Sequence, residues 1–134
     1  MIPTDSPQPQ KRRNSLSSIT KAFGHAASGF CLALRSEPHM RFHMGAAFSV
    51  IGLGLYIGLS SIEWALILMA IGLVLFSELF NTALEVTLDI CIPMQHPKVK
   101  AAKDISAAAV WIGATVAGII GCLIFIPKFV RLLA

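Results

Sequence analysis

Three long, predominantly apolar stretches dominate this sequence and restrict how it can fold. They cover residues 42–59, 62–92 and 105–126. An α-helix needs about 20 apolar residues to cross the hydrocarbon core of a bilayer. Because backbone polar groups find no water there, only helices and closed barrels span a membrane. The sequence therefore predicts an all-α membrane protein with three transmembrane helices.

The composition supports this prediction and limits the number of domains. Only 13% of the 134 residues are Asp, Glu, Lys or Arg, whereas 55% are hydrophobic. Soluble domains have about a quarter of their residues charged. A chain of this length forms one domain by default, so we expect a single membrane domain over residues 15–134.

The position of the basic residues predicts the orientation in the membrane. Of the 11 Lys and Arg residues, six precede the first span, three lie between the second and third, and two follow the third. Positive residues accumulate on the cytoplasmic side of membrane proteins. We therefore expect a multi-pass protein of the inner (cytoplasmic) membrane with a cytosolic N-terminus. The net charge of +4 reflects this orientation and does not indicate a nucleic-acid partner.

The residues before the first span divide into two segments. Residues 1–14 are polar, basic and contain several prolines, which predicts a disordered cytosolic tail. Residues 15–36 place apolar side chains such as Ile19, Phe23 and Phe30 on one stripe at helical spacing. This pattern predicts an amphipathic helix at the membrane surface; the alternative is a helix packed on the loops at the soluble side.

Small residues and prolines suggest where the helices approach one another and where they stop. Gly54 and Gly58 form a GxxxG pair in the first span, and Ala109, Gly113, Ala117 and Gly121 repeat at every fourth position of the third. Both patterns favour close contact between helices. Pro93 and Pro127 are expected to end the second and third helices.

Polar side chains gather on one face of the second span. Glu78, Asn81, Glu85 and Asp89 lie within about 80° of arc on a helix. Carboxylates in a membrane are costly unless they are paired, hydrated or bound to a metal. Glu85 and Asp89 could be solvated or paired with a lysine (Lys98, Lys100 or Lys103). Otherwise these oxygen ligands favour Mg²⁺ over Zn²⁺.

We expect Lys103 and Asp104 to lie at the start of the third helix, where a helix N-terminus and a lysine both favour anions. The sequence contains no P-loop, GxGxxG, GxSxG or HExxH motif. The residues alone therefore predict a site for a metal and an anion on the cytosolic side of a helical membrane protein.

The motifs also resemble those of a known family. Glu78-Leu-Phe-Asn81-Thr-Ala-Leu-Glu85, then Asp89 and Lys103-Asp104-Ile-Ser-Ala-Ala, resemble the signature of the prokaryotic diacylglycerol kinases. The segment from Glu37 to His43 is similar to the Gram-positive-type branch, whose members phosphorylate undecaprenol. The resemblance covers about residues 18–128.

The resemblance implies a homotrimeric lipid kinase that uses ATP and Mg²⁺ and shares its active sites between subunits. By position, Glu78 would be the general base and would contact the lipid. Glu37 and Glu85 would hold the metal on the ATP phosphates, with Asn81 and Asp89 in supporting roles. The acceptor would be a lipid alcohol, either diacylglycerol or undecaprenol.

Further contacts are carried over from the same resemblance. Met94, Gln95 and His96 would lie near the nucleotide, Lys103 and Asp104 would contact it, and Ala107 would lie near the lipid. His25 is also carried over as a nucleotide contact, although it replaces an aromatic residue common in one branch. An ordinary interfacial histidine is the alternative for this position.

Two other classes of function fit an acidic membrane helix. One is a small helical proton or cation transporter or channel subunit, and the other is a non-catalytic assembly subunit. Transporters place charges near mid-membrane and often contain repeats with interrupted helices. Here the acids lie toward one side and no repeat is visible, which favours the kinase.

Overall fold

The computed structural model describes residues 15–133. This part of the chain forms four α-helices: α1 (Ser15–Ser36), α2 (Pro38–Ile57), α3 (Ser61–Cys91) and α4 (Pro97–Leu133). The last three are long and apolar enough to cross a membrane, which confirms the predicted class of all-helical membrane protein with three spans. The tail predicted for residues 1–14 lies outside the described residues.

A single residue, Glu37, separates α1 from α2. Its backbone is extended (φ −103°, ψ 116°), and Pro38 occupies the first position of α2. Proline disfavours the helical conformation in the residue before it and is itself well accommodated at a helix start. Consequently α2 begins at Pro38, before the predicted start at residue 42, and the Glu37 side chain lies at the break.

The turn between α2 and α3 corrects the GxxxG prediction for the first span at one of its two glycines. Gly58 lies beyond the last residue of α2, in the left-handed conformation (φ 76°), and its N–H donates to the carbonyl of Gly54. Gly54 is buried, and a Cβ there would lie 2.9 Å from Leu59 Cδ1 and 3.0 Å from Trp64 Cη2. Gly58 therefore shapes the turn, and a Cβ there would meet nothing within 4 Å, whereas Gly54 does approach a residue of the neighbouring helix, Trp64 of α3.

The start of α3 is fixed by a capping box. The backbone N–H of Ser60 donates to Glu63 Oε2 at 2.7 Å, and the Glu63 N–H donates to Ser60 Oγ at 3.4 Å. The 31 residues of α3 correspond to about 46 Å at 1.5 Å per residue. Because a bilayer core is about 30 Å thick, part of α3 must extend beyond it.

The bounds of α4 correct two expectations. The helix begins at Pro97, so Lys103 and Asp104 lie well inside it and not at its N-terminus. Proline is favoured at the first helical position, which explains the early start. The helix also continues through Pro127; the missing N–H removes one hydrogen bond, a loss that membrane helices tolerate.

The core of the chain lies between α3 and α4. Ile67 of α3 and Ile124 and Phe125 of α4 form its buried cluster. Gly113 is buried, and a Cβ there would lie 3.5 Å from Ser77 Oγ, so this part of the predicted small-residue stripe does approach another helix. The outward faces remain apolar and exposed, with side chains such as Phe76 and Trp111. Such faces suit contact with lipid or with another chain.

Candidate active site

The acidic face of α3 lies at the end of the molecule where α2 begins and α4 begins. A short turn joins α2 to α3, residues 92–96 join α3 to α4, and α3 packs against both neighbours. Adjacent helices connected by short turns run antiparallel, so the start of α2, the end of α3 and the start of α4 share one end. This arrangement places Glu37 at the same end as the acidic face.

Glu78 is the one charged side chain that is buried among the described residues, with 3% of its surface exposed. It follows a stretch of α3, residues 64–77, that carries no charge. Within residues 15–133, no group donates a hydrogen bond to its carboxylate and no cation pairs with it. The residue is buried although its carboxylate is unpaired, and the carboxylate oxygens are not fully enclosed by the chain. Such an unfavourable placement of a charged group is typical of a residue retained for function.

Asn81 and Glu85 are joined to each other and to α4. Asn81 Nδ2 donates to Glu85 Oε1 at 3.2 Å, and Ser106 Oγ donates to Asn81 Oδ1 at 2.6 Å. All three residues are partly buried. The structure therefore connects Asn81 to the carboxylate expected to bind metal, and not to Glu78.

Lysines of α4 neutralise two of the expected site carboxylates. Lys103 Nζ lies 2.5 Å from Asp89 Oδ1, which is one of the pairings that the sequence left open. Lys100 Nζ lies 2.7 Å from Asp104 Oδ2, and both of these side chains are exposed. Glu85 has no such cation within the described part of the chain.

A cleft of about 670 Å³ opens beside the Asp89–Lys103 pair. Its walls include Met94, Gln95 and His96, so the structure brings these loop residues together with Lys103. His96 also caps α4, because its Nδ1 accepts a hydrogen bond from the Lys98 N–H at 3.2 Å. The volume falls within the range of about 300–1,000 Å³ typical of small-molecule sites.

Other expected site residues are not gathered into one cluster. His25 and Ala107 are exposed, and Asp104 does not line the cleft. Glu37 is half-buried, and its side chain makes no capping hydrogen bond. Between residues 15 and 133, no three His, Cys, Asp or Glu side chains are placed to hold a metal ion together.

The sequence did not reveal two contacts. Ser106 belongs to the motif that begins at Lys103, but the motif does not predict its hydrogen bond to Asn81. The available signal was its position one helical turn after Lys103, which places the two side chains on the same face of α4. Lys128 is one of the two basic residues that follow the third span, and its sequence position gives no partner for it. In the structure its Nζ lies 3.0 Å from Glu63 Oε2 and 3.4 Å from the Gly58 carbonyl.

Comparison with known proteins identifies the family. The model of the prokaryotic diacylglycerol kinase family matches residues 24–125. The chain is 44% identical over 116 residues to the undecaprenol kinase of Bacillus subtilis, covering 87% of this chain and 94% of that protein. It is 34% identical over 111 residues to the diacylglycerol kinase of Pseudomonas aeruginosa, covering 83% and 90%.

A third relative extends over almost the whole chain. The diacylglycerol kinase of Synechocystis is 29% identical over 139 aligned positions, covering 99% of this chain and 79% of that protein. These similarities favour the kinase over the transporter and assembly-subunit alternatives. The helical membrane fold, the acidic face of α3 and the family match agree: the chain belongs to the prokaryotic diacylglycerol kinase family and is a membrane lipid kinase.

Proposed function

We propose that this enzyme transfers the γ-phosphoryl group of ATP to the hydroxyl group of a membrane lipid alcohol, with Glu78 as the general base. The observation that carries the proposal is that Glu78 is a buried residue whose carboxylate has no donor or cation among residues 15–133. A carboxylate in this state is free to accept a proton from a hydroxyl group placed beside it. General-base catalysis of this kind typically contributes about 10²–10⁴-fold to the rate.

Glu85 and Glu37 are the proposed ligands of Mg²⁺ on the ATP phosphates. Glu85 Oε1 accepts a hydrogen bond from Asn81, and its second oxygen receives none from the described residues. Proteins often hold Mg²⁺ with one or two carboxylates, while phosphate oxygens and water complete the coordination. These hard oxygen donors therefore fit the ion. When bound, it would neutralise charge on the transferring phosphoryl group.

The cleft beside α4 is the proposed position of the nucleotide. Lys103 lies at its wall with the loop Met94–His96. A lysine ammonium group is a common phosphate ligand, and Asp89 holds this one at the cleft. Asp104 and His25 are the other proposed nucleotide contacts; both side chains are exposed and so accessible to a soluble ligand.

Undecaprenol is the proposed lipid alcohol. The chain is 44% identical to a protein named undecaprenol kinase and 34% identical to one named diacylglycerol kinase. The hydroxyl group of a lipid lies near the membrane surface, and Glu78 lies at the point of α3 where the uncharged stretch gives way to polar residues. Ala107, exposed on α4, would contact the lipid near its headgroup.

The proposed location is the inner (cytoplasmic) membrane, with the N-terminus and the active site facing the cytosol and α1 lying in the membrane surface. The excess of Lys and Arg at this end supports the orientation. On α1, Ile19 and Phe23 are 50% and 73% exposed, which supports contact between this helix and lipid.

A phosphorylation assay tests the proposed reaction. Purified enzyme in mixed micelles receives radiolabelled ATP, Mg²⁺ and either undecaprenol or diacylglycerol. We expect faster labelling of undecaprenol, and we expect Glu78→Gln to lower kcat by at least about 10²-fold. Glu63→Gln is the matched control, because it makes the same change at the opposite end of α3. An unaffected Glu78→Gln variant would disprove the role of the base, and preferential labelling of diacylglycerol would reverse the choice of acceptor.

We also propose that the enzyme is a homotrimer whose active sites combine residues from neighbouring copies. The half-buried Glu37 side chain without a cap partner supports sharing. The test mixes two inactive variants, Glu37→Gln and Glu78→Gln, before reassembly from detergent. If one site takes Glu37 from one copy and Glu78 from another, mixed assemblies regain part of the activity. Sites formed within single copies would stay inactive after mixing.

A further inference from the structure

The hydroxyl group of Ser106 on α4 makes a hydrogen bond to a side chain of another helix. Its Oγ lies 2.6 Å from Asn81 Oδ1 on α3, and 2.9 Å from the carbonyl of Lys103 on its own helix. Five other hydroxyl groups of the described helices donate to the carbonyl four residues earlier: those of Ser36, Ser49, Ser77, Thr87 and Thr115. Such local bonds are the usual behaviour of these side chains in helices. Ser106 instead links two helices.

The charge of Glu85 determines the direction of this hydrogen-bond chain. A carboxylate only accepts hydrogen bonds, so the Asn81 group that faces Glu85 must be the NH₂ group. The Asn81 carbonyl oxygen then faces Ser106 and needs a donor. A serine hydroxyl has one proton to donate, and the shorter of its two contacts is the one to Asn81.

Two hydrogen bonds fix the orientation of the Asn81 side chain, one to Glu85 and one from Ser106. Loss of the Ser106 hydroxyl group would remove the second of them. The amide oxygen would remain in a partly buried position with no donor, and an unsatisfied buried acceptor is unfavourable. Rotation of the Asn81 side chain toward another donor would remove the hydrogen bond that now holds Glu85 Oε1. The Glu85 carboxylate would then be free to change rotamer.

We propose that Ser106 is a positioning residue that acts through Asn81 to hold the Glu85 carboxylate in the orientation that binds the metal–nucleotide complex. The inference rests on the proposed role of Glu85 as a metal ligand. Partners that orient a ligand from behind typically contribute about 10–100-fold to metal affinity.

The test measures metal binding directly, without turnover. Mn²⁺ replaces Mg²⁺, a non-hydrolysable ATP analogue is present, and bound Mn²⁺ is determined by electron paramagnetic resonance. We expect Ser106→Ala to weaken Mn²⁺ binding about tenfold, and Ser106→Thr, which keeps the hydroxyl group, to bind within about twofold of the wild type. Thr115→Val is the control, since it removes a hydroxyl group of α4 that bonds only to its own helix.

A double-variant comparison identifies the route of the effect. Asn81→Ala should weaken Mn²⁺ binding as Ser106→Ala does. The double variant should bind Mn²⁺ with an affinity no lower than that of the single variant with the lower affinity, because Asn81 and Ser106 belong to one chain of hydrogen bonds. Independent, additive losses would overturn the inference. Normal binding by Ser106→Ala together with weak binding by Glu85→Gln would also overturn it, while leaving the function of Glu85 intact. Normal binding by Glu85→Gln would refute both, and failure of the wild type to phosphorylate lipid would contradict the proposed function itself.

Discussion

Lys103 Nζ lies 2.5 Å from Asp89 Oδ1 and so ties the second turn of α4 to the last turn of α3 at the wall of the cleft. The Asp89 side chain is 65% exposed and that of Lys103 is 30% exposed. Exposed ion pairs add about 0–1 kcal/mol to stability. The pair therefore matters more for the direction of the lysine than for the fold, since it keeps an ammonium group at the proposed phosphate site.

Substitution of Lys103 should affect ATP more than stability. We expect Lys103→Met to raise the KM for ATP about tenfold or more. The reason is that the substitution removes a hydrogen bond from a charged group, which is worth about 1.5–3 kcal/mol. Asp89→Asn should raise it by no more than about fivefold, because the lysine remains present. Initial rates over a range of ATP concentrations measure both effects. Lys98→Met is the control, since Lys98 does not line the cleft; an equal rise in that variant would indicate a general charge effect.

Removal of the buried charge of Glu78 should stabilise the protein while it inactivates the enzyme. Glu78 is 3% exposed, and a carboxylate that has lost most of its water without gaining a partner is more costly than an amide at the same place. We expect Glu78→Gln to raise the Tm in detergent by roughly 2–8 °C, the shift that about 1 kcal/mol produces. Glu85→Gln should not raise the Tm, because Glu85 is only half-buried and accepts a hydrogen bond from Asn81. A lower Tm for Glu78→Gln would show that the carboxylate has a stabilising partner.

The sequence predicted the spans well because apolar length is a strong physical signal. The sequence predicted the helix ends less well, because a single residue can determine where a helix begins or ends. Pro127 was expected to stop the third helix and instead lies inside α4, because the cost of one missing hydrogen bond is small beside the burial of a continuous apolar helix. The same helix begins at Pro97, earlier than expected. The polar residues after Pro97 interrupt the apolar pattern from which the start of the third span was predicted.

The acidic face of α3 was predictable from helical periodicity alone, whereas its connections to α4 were not. Ser106 contacts Asn81 from 25 positions away in the sequence, and Lys103 contacts Asp89 from 14 positions away. Such pairings depend on the register between two helices, which a single sequence leaves open. The roles of Glu37 and Glu85 in metal binding stay predictions.

The contacts of Gly54 predict a difference between two glycines of α2. A Cβ at Gly54 would lie 2.9 Å from Leu59 Cδ1 and 3.0 Å from the rigid Trp64 ring, whereas a Cβ at Gly52 would meet nothing within 4 Å. We expect Gly54→Ala to destabilise the protein by about 1–3 kcal/mol through overpacking. Gly52→Ala should be neutral or slightly stabilising, because alanine favours the helix. Thermal unfolding of the two variants compares them, and equal stability would show that the turn adjusts freely.

The ion pair between Lys128 and Glu63 should couple the end of α4 to the turn between α2 and α3. Lys128 Nζ contacts both Glu63 Oε2 and the carbonyl of Gly58, so the lysine that follows Pro127 is held where Glu63 also caps α3. Lys128→Met should therefore lower the Tm, and Glu63→Gln should lower it as well. The double variant should lose less than the sum of the two, because each single change already breaks the same pair.

Arg131→Met is the control for this comparison of variants, because the substitution removes a positive charge from the same end of α4. Arg131 belongs to none of the ion pairs found among residues 15–133. It should leave the Tm almost unchanged. High salt should reduce the effect of Lys128→Met, since ions screen partly exposed charges. Strictly additive losses for Lys128→Met and Glu63→Gln would mean that the two side chains stabilise the protein independently, and that Lys128 contributes through the Gly58 carbonyl or its aliphatic stem.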